Sequence, residues 1–104
     1  MRKNKVTTFA EQIRRLRQEA HLSLREVALN IGIDTSLLGK IERNERQPTK
    51  EQIKQVAKYF KLDERDMMKE YLSDQIAYKI LEEEADLDIL KVAERKIQYL
   101  RAKQ

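Results

Sequence analysis

The chain has 104 residues, of which 38% are charged and 40% hydrophobic, and its formal net charge is +4. This length and composition are typical of one small helical domain with an appendage. With no cysteine and a single histidine, His21, the sequence excludes a disulfide framework, a thiolate metal site and an imidazole cluster. No apolar run approaches the roughly eighteen residues of a membrane-spanning helix, and no signal-peptide core follows the basic start. We therefore expect a cytoplasmic protein that binds no membrane and no cofactor.

The chain begins with a predicted flexible basic arm over residues 1–8, which contains Arg2, Lys3 and Lys5. A first helix is predicted from about Thr8 to Ala20, because apolar residues recur there at helical spacing. These residues are Phe9, Ile13, Leu16 and Ala20. His21 is expected to lie in the loop that follows.

Two short helices are predicted next, separated by a single glycine. Ser23 and Glu26 have the spacing of a capping box, and Gly32 ends the helix that this box begins. Asp34 can cap a third helix, which leaves a connection of about three residues, the length that joins two helices at a steep angle. The second helix has Val27, Ala28 and Ile31 on one face, and the third has Leu38 and Ile41. We therefore expect the third helix to protrude from the domain.

Two further helices complete a five-helix core in the prediction. Thr49 caps a fourth helix whose inner face carries Ile53, Val56, Ala57 and Phe60. A fifth begins near Asp63 and carries Met67, Met68, Tyr71 and Leu72. Asn44 stands where a left-handed cap is needed. Helix-breaking residues are few, and the chain has little of the alternation of β-branched residues that is typical of strands. The fold class is therefore predicted to be all-α.

Charge is divided unevenly along the chain. Residues 1–61 hold fourteen Lys or Arg against seven Asp or Glu, a balance of +7. Residues 62–104 hold eight against eleven, a balance of −3. A solvated basic surface would explain a charge run alone, but the basic half coincides with the helix pair, and this coincidence favours a nucleic-acid surface.

The segment from about Phe9 to Met67 resembles the Cro/C1-type helix-turn-helix family of bacterial and phage repressors. The resemblance rests on Ser23, Val27-Ala28, Gly32-Ile33, Ile41-Glu42-Arg43 and Pro48. It implies a five-helix, lambda-repressor-like DNA-binding domain over residues 9–69 and a transcriptional regulator that binds an operator in double-stranded DNA. It also implies that Glu42 is a structural partner, which we expect to pair with Arg15 or another cation of the first helix.

The chain departs from the family at two positions. Leu24 stands where the family usually has Gln, a residue that the resemblance places on the DNA backbone. Leu24 can instead pack against Leu37 or meet a sugar or a thymine methyl group. Gly39 replaces a small polar residue and costs about 1 kcal/mol relative to Ala in a helix. Either DNA or a neighbouring side chain comes close to the helix at Gly39.

Geometry divides the candidate DNA contacts into two sets. The first set faces outward from the third helix and is expected to contact bases: Thr35, Ser36, Leu37, Gly39 and Lys40. The second set consists of arginines and lysines around that helix, expected to contact phosphates: Arg14, Arg17, Arg25, Arg43, Arg46 and Lys50. Arg14 and Arg17 are expected on the outer side of the first helix. The alternative for each of these cations is that it is an exposed charge that adds solubility and contacts no DNA.

Residues 70–104 exceed what the five-helix domain requires and are predicted to form a helical dimerisation region. Two sets of apolar residues in this region lie on helix faces about a quarter turn apart. We therefore prefer two helices over one long helix, with the break between Glu82 and Asp88 and with Asp86 as the cap of the second helix. The predicted dimer interface comprises Leu72, Ile76, Ile80, Leu87, Leu90, Ala93, Ile97 and Leu100. An acidic block at 82–88 precedes a basic set at 91–103, and an antiparallel pairing would bring opposite charges together. The alternative is a monomer whose C-terminal region folds back on its own domain.

The sequence has no glycine-rich phosphate loop, no cysteine nucleophile and no metal-ligand spacing, so we do not expect an enzyme. Within the regulator class, small size and a C-terminal dimer region look most like the controller proteins of restriction-modification systems. The resemblance then implies a homodimer that regulates its own operon through a palindromic operator, with RNA polymerase as a further candidate partner. The alternative is a phage-type repressor or an antitoxin whose C-terminal helices bind a protein partner. The operator sequence and the sign of regulation stay open.

Overall fold

The structure is a computed structural model and describes residues 6–104. Over that range the chain is all-α, as predicted, and has six helices and no strand. They are α1 (Phe9–Glu19), α2 (Leu24–Ile31), α3 (Thr35–Glu42), α4 (Lys50–Tyr59), α5 (Glu64–Glu82) and α6 (Asp88–Ala102). Residues 1–5 of the predicted arm, with Arg2, Lys3 and Lys5, lie outside the described residues. Across residues 6–104 no helix is both long and apolar enough to cross a membrane.

Capping residues set the starts of three helices, and two of these caps, Ser23 and Thr49, are the predicted ones. The side chains of Thr8, Ser23 and Thr49 each accept a hydrogen bond from the backbone N–H three residues later, and the Glu or Gln side chain at that position accepts one from the backbone N–H of the cap. For Ser23, these two bonds with Glu26 are 3.0 and 2.8 Å long. A cap of this kind stabilises a helix by about 1 kcal/mol. Gly32 ends α2 as predicted and has φ +78°, and Asn44 follows α3 in the predicted left-handed conformation with φ +61°.

Asp34 is the exception among the predicted caps. It occupies the cap position of α3, but its side chain makes no capping hydrogen bond, so the prediction is wrong in this respect. The reciprocal partner is lacking, because Leu37 stands where the other caps have Glu or Gln.

The chain divides into two compact units, the first ending at Asp74 and the second spanning Gln75–Gln104. In the first unit α3 packs against α1 and α2, and α4 packs against α2. Their apolar faces share one core with the start of α5. Its buried members are Phe9, Ile13, Val27, Ala28, Ile31, Leu38, Ile41, Ile53, Val56, Ala57 and Met67. Burying a Val, Leu, Ile, Phe or Met side chain contributes about 1.5–3 kcal/mol to the free energy of unfolding. The first unit therefore has a stabilising core of its own.

The second unit consists of the end of α5, a short connection and α6. The connection lies where the apolar pattern changes phase, and the predicted pair of helices is confirmed. Glu84 takes a left-handed conformation with φ +51°, and Asp86 accepts a hydrogen bond of 2.8 Å from the Asp88 N–H. None of the fifteen residues of α6, all of them described, is buried.

Candidate nucleic-acid interface

The helix α3 presents one polar face to solvent. Leu38 and Ile41, at 0% and 3% exposure, point into the core and fix the rotation of the helix. That rotation leaves Thr35, Ser36 and Lys40 exposed. Because helix positions advance by about 100° per residue, Ser36 and Lys40 lie nearly opposite the core-facing side. The first turns of α3 therefore expose two hydroxyl groups and one ammonium group to solvent.

A buried ion pair anchors this helix to α1. The Nε and Nη2 atoms of Arg17 donate to the two carboxylate oxygens of Glu42 at 2.8 and 2.9 Å, and Nη1 donates to the carbonyl of Leu22 at 3.0 Å. The side chains of Arg17 and Glu42 are 14% and 5% exposed. Donation of these hydrogen bonds to Glu42 raises the pKa of Arg17, so the guanidinium stays charged. One arginine thus ties α1, the loop after it and α3 together.

This pair confirms one expectation and corrects another. Glu42 pairs with a cation of α1 as expected, and that cation is Arg17, while Arg15 is exposed. The expectation that Arg17 lies on the outer side of α1 is wrong. Its guanidinium is committed to Glu42 and Leu22, because a bidentate carboxylate satisfies its planar fork better than water does.

At Gly39 the structure places a neighbouring side chain against α3. A Cβ on this residue would lie 3.1 Å from Nη1 of Arg43 and 3.9 Å from Cδ1 of Leu24. The glycine thus makes room for the Arg43 guanidinium, which folds back along the helix. Leu24 packs on the same side of α3 as Gly39. Leu37 lies about 160° from Gly39 around the helix axis.

Arg43 itself is held by a residue that the sequence patterns did not single out. Its Nε and Nη2 atoms donate to the carboxylate of Glu45 at 2.9 and 3.2 Å. The hydrogen bond raises the pKa of Arg43 and lowers the pKa of Glu45 from its ordinary value of 4.5. A lowered carboxyl pKa means that the pair is fully charged above pH 4.5 and is lost as the pH falls through the folded value. At neutral pH both partners are ionised.

The remaining phosphate candidates are exposed around α3. They are Arg14, Arg25, Arg46 and Lys50, which come from α1, α2, the loop after α3 and α4. Leu37 is half-buried and packs against the core cluster. No group of three or more His, Cys, Asp or Glu side chains between residues 6 and 104 is placed to hold a metal ion.

The second unit carries an apolar groove of 510 Å³ between the end of α5 and α6. Five predicted interface residues line this groove: Ile76, Ile80, Leu90, Ala93 and Ile97. Leu87 and Leu100 are exposed in this unit, and Leu72 is exposed in the first. Ile89 also lines the groove and was missed, although its spacing to Ala93 and Ile97 is helical.

A compact helical domain with a short helix pair, whose second helix exposes a polar face, is typical of helix-turn-helix DNA-binding proteins. Residues 13–67, more than half of the chain, match the profile of the helix-turn-helix family HTH_3. The chain therefore belongs to this family. Its members are DNA-binding transcription regulators and do not form an enzyme family.

Several solved structures are similar to this chain. The restriction-modification controller protein C.AhdI from Aeromonas hydrophila is 29% identical with a TM-score of 0.53, covering 57% of this chain and 89% of that one. SinR, a master regulator for biofilm formation solved in complex with DNA, is 26% identical with a TM-score of 0.53, covering 59% and 98%. A SinR–SinI protein complex is 19% identical with a TM-score of 0.54, covering 93% and 100%, and shows the fold alone. Among curated proteins none matches this chain in sequence.

Proposed function

We propose that this protein binds a palindromic DNA operator as a homodimer and inserts α3 into the major groove. The observation that carries the proposal is the orientation of α3, with Leu38, Ile41 and Glu42 held in the domain and its polar face exposed. A helix-turn-helix protein reads base edges with the first turns of this second helix. Similarity to SinR, which was solved with DNA, supports the same role.

The side chains around α3 divide into reading and positioning roles. Thr35, Ser36 and Lys40 face the base edges, and Lys40 suits the O6 and N7 acceptors of guanine. Leu37 borders this surface as an apolar flank, whereas the predicted base contact at Gly39 is not proposed again, because Gly39 is buried and covered by Arg43. The exposed cations Arg14, Arg25, Arg46 and Lys50 contact phosphates, which adds affinity that falls as salt rises.

The dimer is proposed to form through the second unit. Ile76, Leu90 and Ile97 are 52%, 44% and 48% exposed, although they line one groove. Exposed apolar surface of this kind marks an interaction site. Glu94 and Arg101 lie on α6 beside the groove, so an antiparallel second copy would bring opposite charges together. A two-fold dimer presents two α3 helices to half-sites about 34 Å apart.

Within the regulators, we propose an autoregulatory controller of a restriction-modification operon. Similarity to C.AhdI over 89% of that chain supports this role. RNA polymerase stays a candidate partner, and the sign of regulation follows from operator placement. The second candidate is a phage-type repressor or an antitoxin, which the exposed groove favours if a different protein fills it.

Selection from a random library of DNA duplexes, using the full chain, tests the DNA-binding function. We expect a palindromic consensus to be enriched, and its affinity measured by fluorescence anisotropy to fall by about 10³-fold or more between 50 and 200 mM salt. A duplex from upstream of the protein's own gene should contain the same sequence. Enrichment of no sequence, with affinity independent of salt, would contradict the proposal.

Sedimentation analysis at micromolar concentration tests the dimer. Ile97→Glu places a charge in the groove and should convert a dimer into a monomer. Ala102→Glu is the matched control, because Ala102 is exposed at the end of α6 and outside the groove. A wild-type chain that sediments as a monomer would contradict the dimer and favour a different protein as the occupant.

A further inference from the structure

The ion pair between Arg43 and Glu45 leaves part of the guanidinium available. Arginine carries five N–H groups, and the bidentate pair uses one on Nε and one on Nη2. Both N–H groups of Nη1 and the second of Nη2 remain for another acceptor. The second N–H of Nη2 and one N–H of Nη1 form the end of the planar fork, the edge that can donate two parallel hydrogen bonds.

The position of this edge follows from Gly39. Since Nη1 lies 3.1 Å from where a Cβ would stand, the guanidinium rests directly on the backbone of α3. Arg43 lies about 20° from Ser36 and about 60° from Lys40 around the helix axis. The fork is thus held on the same face as the residues proposed to read bases.

We propose that Arg43 is a specificity-determining residue that donates to O6 and N7 of a guanine, and that Glu45 positions it. If Arg43 only contacted phosphate, a neighbouring carboxylate would weaken that contact. The side chain of Glu45 is 53% exposed, so its negative charge repels the same phosphates. A base-reading arginine gains a fixed orientation and loses part of its indiscriminate attraction to the backbone. This assignment replaces the phosphate contact expected for Arg43 from the sequence. The inference rests on the proposed DNA-binding function.

The first test uses the duplex enriched by selection, with each guanine replaced in turn by 7-deazaguanine, which lacks the N7 acceptor. For the wild-type chain, one guanine in each half-site should show a loss of affinity of about 10-fold. Arg43→Ala should remove the penalty at that guanine alone. If Arg43→Ala instead weakens all duplexes equally and lowers the salt slope by about one, Arg43 is a phosphate contact and the inference is overturned.

The second test separates positioning from charge. Glu45→Gln removes the carboxylate, so affinity for a scrambled duplex should rise while discrimination at the guanine read by Arg43 falls several-fold. Glu19→Gln is the matched control, because it makes the same charge change at an exposed position on α1. It should raise affinity for both duplexes equally. Identical behaviour of the two variants would overturn the positioning role of Glu45.

The third test moves stability and specificity in opposite directions. Gly39→Ala adds a Cβ that the flexible end of Arg43 must avoid by a few tenths of an ångström. Alanine favours the helix, so the unfolding midpoint should rise by several degrees while guanine discrimination falls. Unchanged discrimination would overturn the role of Gly39. If the wild-type chain binds no duplex, the proposed function fails; if it binds with a guanine preference independent of Arg43, only this inference fails.

Discussion

Apolar side chains of the same types are buried in the first unit of this protein and exposed in the second. In the first unit Leu38 and Ile53 are fully buried, and the core is shared by helices from α1 to the start of α5. In the second unit Ile76 and Ile97 are about half exposed, and no residue of α6 is buried. Apolar area removed from water contributes about 25 cal/mol per Å², so the first unit is stabilised by its own packing. The second lacks this stabilisation until another surface covers its groove.

The strongest way to break this comparison is to remove one apolar side chain from each unit. Leu38→Ala should lower the free energy of unfolding by about 2–5 kcal/mol, because it leaves a cavity in the core. Ile97→Ala should reduce self-association and leave the unfolding of a dilute sample almost unchanged. Urea denaturation followed by circular dichroism measures the first effect, and sedimentation the second. Equal losses of stability in dilute samples would contradict the division into two kinds of unit.

The next largest effect is expected at the ion pair that anchors α3. Arg17→Ala leaves Glu42 buried without its partner and should lower the free energy of unfolding by about 3 kcal/mol. Arg15→Ala, an exposed neighbour on α1, should change it by less than about 0.5 kcal/mol. Thermal denaturation of the two variants compares them directly. A similar, small effect for both would mean that the pair does not fix α3.

A smaller effect is expected where α5 meets the start of α1. The Phe9 N–H donates to the carboxylate of Asp74 at 2.8 Å, and the rings of Phe9 and Tyr71 meet edge to face at 6.0 Å. Asp74→Ala should cost about 1 kcal/mol of stability, since the N–H is partly buried. Ser73→Ala is the matched control at an exposed neighbour. Equal denaturation midpoints for the two would show that this contact adds nothing to the first unit.

The smallest effect concerns the departure from the family at Leu24. Leu24→Gln should cost less than about 1 kcal/mol of stability, because the side chain is only half-buried. The amide can hydrogen-bond a phosphate, so affinity for the enriched duplex should rise by about 3-fold to 10-fold. Leu29→Gln, at a position of α2 that is 78% exposed, controls for the added amide. A loss of affinity confined to Leu24→Gln would indicate that the leucine itself contacts the DNA.

Local signals explain why much of the fold was predictable. Helix starts and ends depend on residues close together in the chain, here Ser23 with Glu26, Gly32 and Asn44. The structure has the helix boundaries that these residues indicate. The phase change of the apolar pattern likewise predicted the break between α5 and α6. These features depend on spacing along the chain, which a sequence displays directly.

Contacts between distant residues were harder to predict. The partner of Glu42 is set by the packing of α1 on α3. Helical spacing places Arg17 four residues after the buried Ile13, on the inner face of α1, and this signal distinguishes it from Arg15 on the opposite face. The pairing of Arg43 with Glu45 depends on a side chain folding back over Gly39, which helical spacing alone does not specify. The roles of these side chains on DNA stay predictions.

The ratio of affinities for the enriched duplex and for a scrambled duplex, compared between two lysine variants, tests the central claim most directly. Lys40→Ala removes a side chain from the exposed face of α3, and Lys54→Ala removes an exposed lysine from α4. We predict that the first variant loses about 10-fold of this ratio while the second keeps the wild-type value. Equal ratios for both variants would contradict the claim that α3 reads the DNA.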